Sequence, residues 1–383
     1  MVVSTTISGS RVFLFLGAGA SAPFGGWLMG EFIVNLMGEL SRKRQDLYDL
    51  LAALVSYKYI GYDLEAILKE LGDICDKQYL ADKSRLHFIN NFLDPKNEQE
   101  ERYKERDKIK GGGIGTGYGS SVNEISGFSV RYGELVRICM ELRTQIEIKI
   151  FEHYGNLDNS LVVKAYTPIL DILSGSLNED KILPVFTTNY DRVIEDYGEA
   201  MHEEIELVDG FKVIPRSRKL RWDRNIFDDF RAKKDKLNIV LFKLHGSIYW
   251  DESNEQVIYS VIPTHRGTEE RFKNVLIYPA MNKIATRDPY FTGYDYFQRC
   301  LDNTDFAVFI GYSFRDYDTV TKIKSALNFN DKLILIVLAP DAKELVKNNF
   351  SNLKKRFITL QYSFGEKGDI DKYLEQLKKA LEK

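Results

Sequence analysis

Six short runs of nearly uninterrupted apolar residues constrain this chain most: Val12–Leu16, Ile182–Phe186, Ile239–Leu244, Phe306–Ile310, Leu333–Leu338 and the weaker Phe357–Leu360. Each has the length of a strand, and most do not alternate with polar residues. A strand of that kind must be covered on both faces, as in a parallel sheet. Helical spacing separates or follows the runs at Leu28–Leu40, Arg192–Tyr197, Tyr317–Leu327 and Ile370–Leu381. The pattern predicts an α/β fold, a Rossmann-type doubly wound parallel sheet.

The first two runs are too far apart for one crossover helix. Helical spacing at Gln45–Ser56, Leu64–Leu71, Leu80–Phe92, Tyr132–Tyr154 and Leu161–Leu173 predicts an inserted helical subdomain over about 42–175, with the sheet built from about 1–41 and 176–383. Inside the insertion, a charged and then glycine-rich stretch near 93–128 has the composition of a mobile loop. A second irregular segment, Asp251–Arg287, holds two short strand candidates, Gln256–Val261 and Val275–Tyr278.

Composition narrows the function class. The net charge of -3 over 383 residues gives no basic footprint, so direct nucleic-acid binding is not expected. No apolar run reaches the roughly 18 residues of a membrane span. Cys75, Cys139 and Cys300 are far apart in sequence and form no CxxC pair, so a four-cysteine zinc site within the chain is excluded. Reduced, isolated thiols fit a cytoplasmic protein.

Chemistry gathers where the apolar runs stop. After the first comes GAGAS, in which Gly17, Gly19 and Ala22 fit the glycine pattern that lets backbone approach a pyrophosphate at a helix start. A plain strand-to-helix turn would read the same way, and no acidic strand end follows about 20 residues on. The second run leads into TTNYD, where Asn189 or Asp191 could cap a helix or hold water and a sugar hydroxyl. The third leads into LHGS. His245 differs from His87, His153, His202 and His265 in standing at a strand end, beside Gly246. The fourth leads into GYSFRDYD, with Gly311, Ser313, Arg315, Asp316 and Asp318; Ser313 is a phosphate or ribose ligand or a helix cap. Ligands of open α/β sheets bind beyond the carboxyl ends of the strands. Four polar ends there, three of them containing glycine, point to a nucleotide site.

In this order, GAGAS, TTNYD, KLHGS and GYSFRD resemble the sirtuin-like superfamily, and Asp63–Leu71 and Leu276–Lys283 resemble further elements of its bacterial branch. The likeness runs in blocks over roughly 11–340. It implies NAD as substrate, with Gly17, Ala18, Gly19 and Ser21 at the phosphates and adjoining ribose, and Gly311 and Ser313 at a second ribose-phosphate contact. It implies Asn189 and His245 as catalytic residues and Asp191 near nicotinamide. The zinc cysteines of protein-deacylating sirtuins are missing, so no zinc is expected, and Thr188 stands where those proteins have glutamine. An asparagine common after the next strand is replaced by Leu338-Ala339-Pro340, and PFGGW follows the first motif in place of an aspartate-phenylalanine-arginine element. These departures turn the reading from deacylation toward bacterial antiphage effectors that degrade NAD. One subgroup of those works with a HerA-type ATPase.

The expectation is therefore a regulated, homo-oligomeric NAD+ hydrolase that cleaves the nicotinamide–ribose bond and has a possible HerA-like partner. An NAD-dependent protein deacylase and a non-catalytic module binding NAD or ADP-ribose are the alternatives. Nicotinamide leaves as a neutral molecule, so the site needs a proton acceptor and a means of orienting water more than a strong acid. His245 is expected to accept the proton and Asn189 to orient water or ribose.

Overall fold

The computed structural model describes residues 5–56, 63–75, 122–214, 220–253, 256–259, 288–366 and 368–382. Their contacts form two compact units, Met1–Leu28 with Ile150–Lys383, and Met29–Lys149. Eleven strands are found among the described residues: β1 Val12–Leu16, β2 Ile182–Thr187, β3 Ile205–Val208, β4 Phe211–Val213, β5 Leu220–Trp222, β6 Leu237–Lys243, β7 Trp250–Ser253, β8 Gln256–Tyr259, β9 Phe306–Ile310, β10 Ile334–Leu338 and β11 Phe357–Leu360.

Seven of them make one sheet in the order β11-β10-β9-β1-β2-β6-β3, and every pairing in it is parallel. The fold is the expected α/β doubly wound sheet. From central β1 the chain builds one half with β2, the edge strand β3 and then β6 between them, and crosses to the other side for β9, β10 and β11. The topological switch therefore lies between β1 and β9, where such sheets open a crevice. Register brings the important strand ends level: Leu16 pairs with both Thr187 and Ile310, and Thr187 pairs with Lys243.

The side-chain alternation of each strand divides the core into two layers. One is aromatic, with Phe13, Phe15, Phe186, Phe242, Phe297 and Phe309 buried. Phe13 meets Phe186 edge-on with ring centres 5.5 Å apart, and Phe15 stacks on Phe309 at 5.0 Å. The helices Tyr290–Asn303 and Tyr317–Phe329 cover this layer. The other layer is aliphatic, with Val12, Leu14, Val185, Ile239 and Val308 under the helices Val162–Ser174, Val193–Ala200 and Ile370–Leu381. The helical pattern at Leu161–Leu173, expected in the insertion, thus forms a helix on the sheet: Ala165, Tyr166, Ile169 and Leu173 turn one apolar face toward it. At about 1.5–3 kcal/mol for each fully buried large apolar side chain, these two layers supply the main driving force.

The sequence reading contained neither β3 nor the antiparallel sheet β4-β5-β8-β7, beyond Gln256–Val261 as a strand candidate. That small sheet carries an aromatic cluster of Phe211, Trp222, Tyr249, Trp250, Tyr259 and Tyr290. The Arg192 guanidinium lies over the rings of Tyr249 and Tyr259, 5.1 and 5.6 Å from their centres, and ties the sheet to the start of the helix Val193–Ala200.

The second unit contains the helices Met29–Lys43, Gln45–Ser56 and Leu64–Cys75 and most of Val122–Tyr154. Each buries residues at helical spacing, such as Phe32, Leu36 and Leu40, or Leu135, Cys139, Leu142 and Ile146. Two cysteines distant in sequence meet here. A hydrogen bond with Cys75, together with burial, pushes the Cys139 thiol well above its ordinary range. The patterns at Leu80–Phe92, Val275–Tyr278 and Leu276–Lys283, His87, His265 and the glycine-rich stretch up to residue 121 lie outside the described residues. No helix among the described residues is long and apolar enough to cross a membrane.

Candidate active site

The end of β1 and the end of β9 meet backbone to backbone. Gly17 N–H donates to the Ile310 carbonyl and Gly19 N–H to the Gly311 carbonyl, both at 3.0 Å. A Cβ on Gly17 would stand 2.6 Å from the Gly311 oxygen, and one on Gly311 would stand 2.4 Å from the Gly19 carbonyl carbon. Gly311 also has φ +60°, a left-handed backbone that disfavours any side chain. The space left by these glycines is thus filled by each other's turns. Ala20 and Ser21 amides return to Gly17 and Ala18 carbonyls.

The ends of β1 and β2 are joined by side chains. Asn189 Nδ2 donates to the Gly17 carbonyl and to Ser21 Oγ, each at 2.9 Å. A carbonyl oxygen can only accept, which fixes the nitrogen of the Asn189 amide on that side. Ser21 Oγ–H in turn donates to Asp191 Oδ2 at 2.5 Å, and Asp191 Oδ1 accepts the Val193 amide at 3.0 Å. Both carboxylate oxygens of buried Asp191 are therefore engaged within the protein, one by Ser21 and one by the start of the next helix.

Behind this chain lies a buried cation. Lys243 Nζ donates to the Asp191 carbonyl and stands 3.2 Å from Glu195 Oε1, with both side chains less than a tenth exposed. Burial pushes Asp196 and Asp209 up to about 6; carboxylates nearby, Glu195 among them, add to the rise.

His245 follows β6 in a turn whose Gly246 has φ +86°, so this glycine is required by the backbone itself. The turn is fastened to the β2 end: Leu244 N–H donates to Thr187 O at 2.8 Å, Ile248 N–H to Tyr190 O at 3.1 Å, and Ser247 Oγ to Tyr190 O at 3.2 Å. The turns carrying Asn189 and His245 are therefore direct neighbours. The imidazole itself is 2% exposed, with Nε2 3.4 Å from Asp316 Oδ2. That is ion-pair distance, without the alignment of a hydrogen bond. Asp316 Oδ2 also accepts the Thr319 hydroxyl at 2.6 Å, and Oδ1 accepts the Asp318 amide at 3.0 Å, which caps the helix Tyr317–Phe329. Burial pushes the Asp316 carboxyl up, but His245 and the Thr319 donors outweigh it and hold it below the ordinary range.

Ser313 stands apart from this cluster. It lines a cleft with Phe314, Arg315, Asp341, Glu344, Leu345, Asn348 and Asn349. Neither Glu195 nor the pairing of Asp316 was visible in sequence. Lys243 offered the only signal, a charge inside an otherwise apolar strand. Among the described residues no group of three or more histidine, cysteine or acidic side chains is placed to hold a metal ion.

Residues 184–360 match the family model described as SIR2-like domain. That stretch contains Asn189, Asp191, His245, Gly311 and Ser313; the turn at Gly17–Ser21 precedes it. Among solved structures, the chain is similar to a triple mutant of a Sir2 homologue in complex with 2'-O-acetyl ADP ribose, with TM-score 0.35 and 14% identity over 98% of this chain and 96% of that one. No curated protein matches.

Proposed function

We propose that this chain binds NAD beyond the carboxyl ends of β1, β2, β6 and β9 and hydrolyses the bond between nicotinamide and ribose. The observation that carries the reading is the joining of the Asn189 and His245 turns through Leu244 N–H and Thr187 O, inside the stretch that matches the SIR2-like model.

The reaction consumes NAD and water and yields nicotinamide, ADP-ribose and a proton. As the carbon–nitrogen bond breaks, its electron pair goes to the pyridine ring and neutralises it. The ribosyl carbon left behind takes oxocarbenium character and is attacked by water. The Asn189 nitrogen is committed to Gly17 and Ser21, which leaves Oδ1 to accept a hydrogen bond from that water or from a ribose hydroxyl. His245 accepts the proton, the role for which imidazole is the commonest side chain. Ser21 and Asp191 hold the Asn189 amide from behind. Gly17, Ala18 and Gly19 bring backbone close to the phosphates. Gly311 and Ser313 serve the second ribose-phosphate contact, and Asp191 approaches nicotinamide only by exchanging one of its internal bonds.

In the cell the reading is of a cytoplasmic effector that depletes NAD in antiphage defence, acting as a homo-oligomer and with a HerA-like ATPase. Purified protein incubated with NAD, alone and with such a partner, should release nicotinamide and ADP-ribose in equal amounts. Asn189→Ala and His245→Ala should each lower turnover by about 10²–10⁴-fold while circular dichroism stays unchanged. Turnover retained in both would dismiss the site. The oligomeric part is checked by mass in solution, where only monomer would count against it.

A further inference from the structure

The segment between β9 and the helix Tyr317–Phe329 does more than close a turn. In the sheet order β9-β1-β2-β6, three strand spacings, about 14 Å in all, separate the strand it leaves from the strand that carries His245. Asp316 nevertheless stands 3.4 Å from His245 Nε2, the two side chains meeting although their strands are not neighbours. The segment uses backbone that side chains rarely adopt, with φ +60° at Gly311 and φ +54° at buried Phe314. Tyr312 packs on Phe15 and Phe314 on Phe309, fixing the segment to the aromatic layer below. Asp316 is then held in place from the far side by Thr319 and by its own capping bonds.

We propose that Asp316 is a positioning residue for hydrolysis, acting through His245: it fixes the ring, keeps the proton on Nε2 and leaves the Nδ1 lone pair to accept the proton released by water. This rests on the reading of His245 as the proton acceptor. A carboxylate facing one imidazole nitrogen sets which tautomer is populated and stabilises the imidazolium formed when the other nitrogen takes a proton. Both groups are nearly withdrawn from water, where such an interaction is least screened. Besides Asp316, the titratable group drawn to the pair is the Tyr294 hydroxyl, from the helix Tyr290–Asn303, 3.5 Å from Asp316 Oδ2. Thr319, from the helix Tyr317–Phe329, adds an uncharged hydroxyl.

The test is Asp316→Asn together with Asp316→Ser. Asparagine and serine both cap helices well, so the helix that follows keeps its start. Histidine labelled at Cε1 and followed by NMR through a pH titration reports the His245 pKa without any need for turnover, with His245→Ala assigning the resonance. Loss of the carboxylate should lower the His245 pKa by at least half a unit in both variants. In the NAD assay kcat should fall at least tenfold with KM within twofold, and the acidic limb of the rate profile should move to lower pH. A His245 titration that stays where it is would overturn the proposal, as would variants that lose thermal stability yet keep the wild-type pH profile. If the titration moves but the wild-type protein never hydrolyses NAD, the pairing stands and the proposed reaction is what fails.

Discussion

Between β1 and β9 the strand-end turns touch through bare backbone, Gly17 and Gly19 against Gly311, whereas between β1 and β2 the contact is made by side chains, Asn189 through Ser21 to Asp191. The first seam has no room for an added atom. The second has room but requires a directed donor at each step, and behind it Lys243 must neutralise Glu195. Both seams arise from polar words after apolar strands, yet one is governed by sterics and the other by hydrogen bonding and charge.

Substitutions should separate the two. The largest effect is expected behind the side-chain seam. Lys243→Met leaves Glu195 buried without its cation, which should cost about 3–5 kcal/mol in urea denaturation. Adding Glu195→Leu should recover most of the loss. A single variant of unchanged stability would show that the pair is not buried as described.

Next comes the backbone seam. Gly311→Ala combines about 1–2 kcal/mol for a left-handed alanine with about 1–3 for the overlap with Gly19, near 3 kcal/mol in total. Here no partner change should rescue it, because the clash is with main chain. A rescue by substitution at Ala20 or Tyr312 would remove the distinction between the seams.

Ser21→Ala should cost about 1–3 kcal/mol, since it strips a donor from Asp191 and an acceptor from Asn189. In the NAD assay it should also slow turnover by releasing the Asn189 amide. Stability lost with turnover kept would confine Ser21 to a structural role.

The smallest effect is in pH. Asp196 and Asp209 are raised in the folded protein to about 6 from 3.8, so the native state binds more protons than the unfolded chain between those values. Their contribution is therefore fully present below about 3.8 and is lost as pH rises through about 6. Asp209→Asn should flatten that decline when thermal midpoints are followed across the interval. Asp316, held low, works in the opposite sense and loses its contribution as pH falls below its unfolded value of 3.8.

Legibility followed the same division. β1 and β9 were readable because a strand buried on both faces must be apolar throughout, and Val12–Leu16 and Phe306–Ile310 have no other way to be stable in water. The glycines of the first seam were also visible, but their contact with Gly311 was not. Spacing suggests a ligand approaching Gly17 and Gly19, and the structure adds that these glycines also pack against Gly311. The short strands β3, β4, β5 and β7 left little trace, because three or four residues are too few to show a period. Asp316 was in view as one acid among several after β9, and nothing local to it indicated His245.

The sequence by itself determined the layers of this protein, since burial on two faces is written residue by residue into each strand, and it determined that polar words would stand at the strand ends. Only the tertiary structure decided which words touch. Gly17 reaches Gly311, Asn189 reaches Ser21, and His245 reaches Asp316 across two intervening strands. Those meetings depend on strand order and on the path of the segment that follows β9, and neither quantity is carried by any local run of residues.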